Sequence, residues 1–224
     1  PLARFGAKLR KNKTEVTNMA TAIITGASQG IGACIAKRLA RDGFDVGINH
    51  YPSDGDKEKA LSVAEECRAF GVRAECYAAD VSKFDQCEAM VKQVKADFGT
   101  IDALVNNAGI QTACKTVTGL ENDSEITNIP RDISVNLLGT MNVTEKYAFQ
   151  KNIKSVLFNA SVSALNGNEF PAYVASKAGV VGYMKNCAIR LANEFRATCN
   201  ALCFGGVSTS LNATVMEDKN SFKF

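Results

Sequence analysis

The chain has 224 residues and a formal net charge of +3. Its length suits one domain with a sizeable core. The small charge, with no long basic run in the body of the chain, argues against a nucleic-acid partner. No apolar stretch of the sequence is long enough to cross a bilayer, so we expect no membrane partner either.

Eight cysteines are scattered through the sequence without a C-x-x-C pair, and His50 is the single histidine. A zinc site would need several dispersed thiols to converge, so we expect no metal site. No secretory signal is visible, and we expect reduced, mostly buried cysteines in a cytoplasmic protein. A hydrolytic triad would need His50 as its base, which weakens that interpretation.

Residues 1–18 are polar and basic, and Met19 directly precedes a strand-like run. We interpret this leader as an expression remnant or an unstructured arm, with weak targeting as a third alternative. The sequence therefore predicts one domain over residues 19–224.

A short apolar strand is predicted over residues 21–25, and a glycine-rich loop and a helix to residue 41 follow it. Gly26 permits a tight turn, Gly30 a close approach of the backbone, and Gly32 close packing of helix on strand. Strand, glycine loop and helix in this order predict a pyrophosphate site at the start of the helix. The alternative is an ordinary glycine-rich turn.

The second strand, predicted over residues 44–49, ends at His50 without an acidic residue at its tip. An acid near this position binds the ribose hydroxyls of NAD. Its absence favours NADP, although NAD stays possible because Gln29 is neutral and no arginine or lysine stands at the tip. His50 itself is either a phosphate contact or a solvated loop residue.

Helices and strands alternate through the rest of the chain. Strands are predicted over 72–78, 101–105, 155–160 and 198–203, and helices over 56–70, 83–98, 130–151 and 171–196. Ser82 is the predicted cap of the third helix, and residues 110–129 are the least regular stretch. Short connections in a strand–helix alternation predict an α/β fold with a doubly wound parallel sheet.

Polar groups stand where this pattern meets the carboxyl ends of the strands. Asn136 lies in an apolar part of the helix over 130–151, where an exposed and a functional asparagine are equally consistent with the spacing. Ser161 leaves the fifth strand, with Ser163 as its competitor. Tyr173 and Lys177 stand four residues apart on one helical face, where a cation lowers the pKa of a phenol.

The order of these motifs resembles the short-chain dehydrogenase/reductase family, and within it the 3-oxoacyl-carrier-protein reductases and related carbonyl reductases. The motifs are T-G-A-S-Q-G-I-G, A-D-V, N-N-A-G, an asparagine inside a helix, a serine after a strand, and Y-x-x-x-K. The resemblance covers residues 19–209. It implies a Rossmann fold and an NADP- or NAD-dependent oxidoreductase that acts on a small carbonyl or alcohol.

The resemblance also implies the role of each residue. Tyr173 would be the general acid or base, Lys177 would lower its pKa and bind the nicotinamide ribose, Ser161 would orient the carbonyl, and Asn136 would support a proton relay. Together with His50, Tyr173 and Lys177, the implied cofactor contacts are Gly26, Ser28, Gly30 and Ile31 at the pyrophosphate, Asp80 and Val81 at the adenine, Asn107, Ala108 and Gly109 along the cofactor, and Thr209 at the nicotinamide amide.

The sequence departs from the family in three places. Ser161 precedes Tyr173 by twelve positions, one fewer than in many relatives, and Phe204 replaces a usual proline. The family's substrate-covering helix pair and last strand have no counterpart before residue 224, so we expect a sheet without that strand. The substrate and the oligomeric state, for which the family suggests a dimer or tetramer, stay open. A dinucleotide-binding regulatory or scaffold protein without turnover is the alternative function.

Overall fold

The computed structural model describes residues 19–111, 129–167 and 170–209. The predicted leader, most of the irregular segment over 110–129 and the tail after residue 209 lie outside the described residues. Within the described ranges the strands agree with the sequence prediction to within two residues at each end. They are β1 (Thr21–Ile24), β2 (Asp45–His50), β3 (Ala74–Ala78), β4 (Ala103–Asn106), β5 (Ser155–Asn159) and β6 (Thr198–Leu202).

The six strands form one parallel sheet in the order β3-β2-β1-β4-β5-β6. The chain crosses over between β3 and β4, so the strand order reverses next to β1. This is a doubly wound Rossmann-like sheet, as predicted, and the point of reversal is where such sheets bind ligands. Within the described part of the chain, β6 is an edge strand.

Helices cover both faces of the sheet. They are α1 (Gly30–Arg41), α2 (Asp54–Arg68), α3 (Phe84–Phe98), α4 (Ile129–Ile133), α5 (Thr140–Tyr147), α6 (Ser163–Asn166) and α7 (Pro171–Phe195). Ile24 and Val46 pack in one apolar cluster with α1 and α2, whereas Leu104 and Val156 pack in the other with α3, α5 and α7. None of the helices in these ranges has both the length and the apolar character needed to span a membrane.

The single helix predicted over residues 130–151 is in fact three pieces. A π-helical segment, Ser134–Gly139, separates α4 from α5, and the last helix ends at Tyr147. Such segments are rare and concentrate at functional sites. Asn136 lies in this one. Apolar periodicity predicts the helix but cannot show the local change in hydrogen bonding.

The start of α3 also differs from the prediction. Its N-cap residue is Lys83, which makes no capping hydrogen bond. Ser82 instead turns back to Asp80, whose Oδ1 accepts bonds from the Ser82 N–H at 3.0 Å and from its hydroxyl at 2.7 Å. A short polar side chain that bonds its own loop in this way no longer serves the helix.

Candidate active site

The loop between β1 and α1 has the backbone geometry of an anion cradle. Gly26 and Gly30 have φ values of 59° and 56°, which favour glycine. A Cβ atom at Gly26 would lie 2.8 Å from the Cα of Ala108. Gln29 is extended and provides no side-chain cap for α1. The start of that helix therefore fits a pyrophosphate group.

Two asparagines hold this loop against the neighbouring strands. The Gly26 N–H donates to Asn49 Oδ1 at 3.2 Å, and the Asn107 amide donates to the Gly26 carbonyl at 2.9 Å. Asn49 also donates to the carbonyls of Tyr77 and Ala79, near the end of β3. The loop is thus fixed to the carboxyl ends of β2, β3 and β4.

Gly32 should tolerate no side chain, because a Cβ atom there would lie 2.5 Å from both Asn107 Nδ2 and the Gly26 carbonyl oxygen. We expect Gly32→Ala to lower the free energy of unfolding by about 1–3 kcal/mol. Gly182→Ala is the control, since a Cβ atom at that position in α7 meets nothing within 4 Å. Denaturant unfolding should show the control as stable as the parent or more so. Equal stability of the two variants would contradict the packing argument.

Tyr173 and Lys177 stand one turn apart on α7. The Lys177 Nζ lies 5.7 Å from the centroid of the Tyr173 ring. Lys177 is only 5% exposed, and its ammonium group donates to the Asn159 carbonyl at 2.8 Å. Burial lowers the pKa of Lys177 from 10.5 to about 8. The helix therefore places a buried cation beside a phenol.

Asn136 is fully buried, and its side chain is clamped by Ile110. Its Oδ1 accepts the Ile110 N–H at 2.8 Å, and its Nδ2 donates to the Ile110 carbonyl at 2.8 Å and to Ser176 Oγ at 3.1 Å. A Cβ atom at Gly109 would lie 3.3 Å from both Asn136 Oδ1 and Lys177 Nζ. The structure thus brings Gly109, Asn136 and Lys177 together, with Tyr173 beside them.

Ser161 follows β5 directly and is buried together with Ser163. The Ser161 hydroxyl lies 3.0 Å from the Ser163 hydroxyl, and it accepts the Ser163 N–H at 3.1 Å. The two serines therefore form one hydrogen-bonded pair at the carboxyl end of β5, two residues beyond the carbonyl that binds Lys177.

The other predicted cofactor contacts lie along the same edge of the sheet. Thr209 faces the glycine loop, with its Cγ2 3.5 Å from where a Gly30 Cβ would stand. His50 is the last residue of β2 and is buried, not part of a solvated loop. Ile31 is half-buried in the first turn of α1. Asp80 and Val81 are both buried and follow β3, so β1 separates them from Lys177.

Three residues that form hydrogen bonds in this region were not anticipated from the sequence. Asn159 binds Lys177 through its carbonyl and also donates its amide to Asn107 Oδ1 at 2.7 Å. Ser176 bonds Asn136, and Asn49 bonds the glycine loop. The register of β4 with β5, in which Asn106 pairs with Phe158, accounts for the contact between Asn107 and Asn159 one residue further on.

The described residues contain no group of three His, Cys, Asp or Glu side chains placed to hold a metal ion. What they do contain is a glycine cradle and a phenol–ammonium pair at one edge of a parallel sheet. This combination suits a dinucleotide and a proton transfer.

Comparison with known proteins identifies the family of the chain. The short chain dehydrogenase family matches residues 20–220. A 3-oxoacyl-acyl-carrier-protein reductase of Staphylococcus epidermidis is 35% identical over 202 residues, which cover 88% of this chain and 79% of the relative.

Solved structures give the same answer. The actinorhodin polyketide ketoreductase with NADPH has a TM-score of 0.78 at 31% identity, covering 89% of this chain and 75% of that one. A 3-oxoacyl reductase of Brucella melitensis in complex with NAD has a TM-score of 0.75 at 29% identity, covering 89% and 78%. The chain belongs to the short-chain dehydrogenase family of NAD(P)-dependent oxidoreductases.

Proposed function

We propose that this protein reduces a small carbonyl compound with NADPH, or oxidises the corresponding alcohol, and that a 3-oxoacyl thioester is the first substrate to test. One observation carries the proposal: the buried Lys177 ammonium stands beside the Tyr173 phenol, at the sheet edge that holds the glycine loop. The thioester is suggested by the Staphylococcus epidermidis relative, which is a 3-oxoacyl-acyl-carrier-protein reductase.

Tyr173 would act on the carbonyl oxygen. In reduction its phenol donates a proton to that oxygen, and in oxidation the phenolate takes the proton back. The positive charge of Lys177, 5.7 Å from the ring centroid, would favour the phenolate over the neutral phenol. A bound nicotinamide supplies the hydride for reduction or accepts it for oxidation.

Ser161 and Asn136 would complete the chemistry. The Ser161 hydroxyl would donate to the carbonyl oxygen, where negative charge develops in the transition state. Asn136 would support a proton path from Lys177 toward solvent. The closeness of both Asn136 Oδ1 and Lys177 Nζ to Gly109 supports this role.

The glycine cradle supports a dinucleotide. Gly26, Ser28, Gly30 and Ile31 would hold the pyrophosphate. The remaining contacts would be His50 at the ribose, Asp80 and Val81 at the adenine, Asn107, Ala108 and Gly109 along the cofactor, Tyr173 and Lys177 at the nicotinamide ribose, and Thr209 at the carboxamide.

The proposal is tested with purified protein, both reduced nucleotides, and a panel of ketones and 3-oxoacyl thioesters. Turnover with NADPH is the expected result. Nucleotide binding in calorimetry without turnover of any compound would favour the binding-protein alternative and overturn the enzyme assignment.

The serine pair gives a direct prediction. We expect Ser161→Ala to lower kcat by about 10²–10³-fold, the usual loss when one donor to a developing oxyanion is removed. Ser163→Ala should cost far less, because that variant keeps the Ser161 hydroxyl and the Ser163 N–H that orients it. Steady-state measurements of kcat for the two variants show which serine hydroxyl contributes to turnover. If Ser163→Ala gave the larger loss, the assigned roles would have to be exchanged.

A further inference from the structure

The first turns of α2 reach back to the glycine loop through two charged side chains. Lys59 Nζ donates to Gln29 Oε1 at 3.1 Å, and Asp56 Oδ1 accepts the Ser28 hydroxyl at 3.3 Å. Lys59 and Asp56 follow the loop by about thirty residues in the sequence. The fold therefore brings a cation and an anion to the end of a loop that is itself neutral.

This end of the loop is where the adenosine ribose would lie. In doubly wound sheets the ribose 2′ position lies near the tip of the second strand. Here the loop is fixed to that tip, because the Ala27 N–H donates to the Asn49 carbonyl at 2.8 Å. The cap of α2, Ser53, follows the tip by three residues. Gln29, which binds Lys59, stands two residues after the point where the loop is bonded to the tip of β2.

The two charged groups differ in how far their polar atoms are engaged by neutral partners. Each oxygen of the Asp56 carboxylate already accepts a hydroxyl, from Ser28 on one side and from Ser53 at 2.8 Å on the other. Lys59 is exposed, and its bond to Gln29 is to a neutral amide. Among the described residues Lys59 forms no ion pair. The charged group that stands exposed beside Gln29 is therefore a cation, whereas both carboxylate oxygens of Asp56 are engaged by hydroxyls.

A phosphate monoester carries a charge of about −1.5 to −2 at neutral pH, so an unpaired ammonium favours it over a hydroxyl. We infer that Lys59, reaching from α2 to Gln29, is the residue that selects the 2′-phosphate of NADP(H) over the 2′-hydroxyl of NAD(H). This inference rests on the proposed function. It assigns to the second helix a role for which the tip of β2 offers neither lysine nor arginine.

The test is the dissociation constant of NADPH and of NADH for the full chain and for Lys59→Gln, measured by calorimetry. We expect Lys59→Gln to raise the dissociation constant of NADPH by about 10- to 100-fold, the range for a lost charged hydrogen bond. The dissociation constant of NADH should change by less than about twofold. Lys59→Arg should retain most of the NADPH affinity. The preference of the parent protein should decrease as ionic strength rises.

Lys57→Gln is the matched control, because Lys57 is also exposed on α2 but lies two residues away, on a different face of the helix. It should leave both dissociation constants unchanged. Equal weakening of NADPH and NADH by Lys59→Gln, or an effect no larger than that of the control, would overturn the inference while carbonyl reduction continued. Failure of the parent protein to bind either nucleotide would overturn the proposed function, and this inference with it.

Discussion

Replacing Tyr173 with phenylalanine is expected to lower kcat/KM for carbonyl reduction by about 10²–10⁴-fold, the contribution of a positioned general acid. The change removes one oxygen atom from a half-buried side chain in the first turn of α7 and leaves the aromatic ring in place. We therefore expect NADPH to bind with nearly unchanged affinity. Single-turnover kinetics with saturating nucleotide measure the loss directly.

The same helix offers a matched control in Tyr183. Its phenol donates to Glu145 Oε1 at 2.7 Å, on the face that packs against α5. Tyr183→Phe removes an equivalent hydroxyl but leaves Lys177 and Asn136 unchanged, so turnover should stay close to that of the parent protein. Full turnover by Tyr173→Phe would show that another group protonates the substrate, and the proposed mechanism would be wrong.

The strands were predictable because burial acts on a continuous run of residues. β1 is buried along its whole length and reads as a short apolar run before a glycine turn, and β2 is equally buried, with Val46 and Ile48 as its apolar signal. The interruption between α4 and α5 was not predictable, because it involves a partner outside the helix. Asn136 is held there by the main chain of Ile110, a contact between residues 26 positions apart.

The candidate site divides in the same way. Tyr173 and Lys177 could be paired from the sequence because helical spacing sets their relation. The carbonyl of Asn159 that receives the Lys177 ammonium carries no sequence signal, since every residue has a carbonyl. Lys59 was missed for a related reason: its relation to Gln29 depends on how α2 packs beside α1, not on a motif.

Burial of Lys177 should also make the stability of the protein depend on pH in an unusual direction. Its pKa is about 8 in the folded chain, against 10.5 for an exposed lysine. Between these two values the unfolded chain binds more protons, so the free energy of unfolding rises with pH across this window. Below about pH 8 the destabilisation is fully present. The difference between the two pKa values corresponds to about 3 kcal/mol in the free energy of unfolding.

Lys177→Met tests this, because methionine fills similar space without a charge. The variant should lose nearly all activity. The quantity to compare is the free energy of unfolding of Lys177→Met minus that of the parent protein, measured without nucleotide. This difference should be larger at pH 7 than at pH 10 by up to about 3 kcal/mol. The lost bond to the Asn159 carbonyl lowers the stability of the variant at both pH values, and the part of that bond that depends on protonation is already contained in the folded pKa of Lys177.

Urea unfolding of the parent protein, of Lys177→Met and of Lys185→Met at several pH values makes the measurement. Lys185 lies on the same helix but is exposed, so its substitution should leave the pH dependence of the parent protein unchanged. Phenols far from Lys177 titrate alike in all three proteins and cancel in the differences. Parallel pH curves for the parent protein and Lys177→Met would mean that this lysine keeps its ordinary pKa in the folded chain. The ammonium beside Tyr173 would then be solvated, and its electrostatic stabilisation of the phenolate would be correspondingly weak.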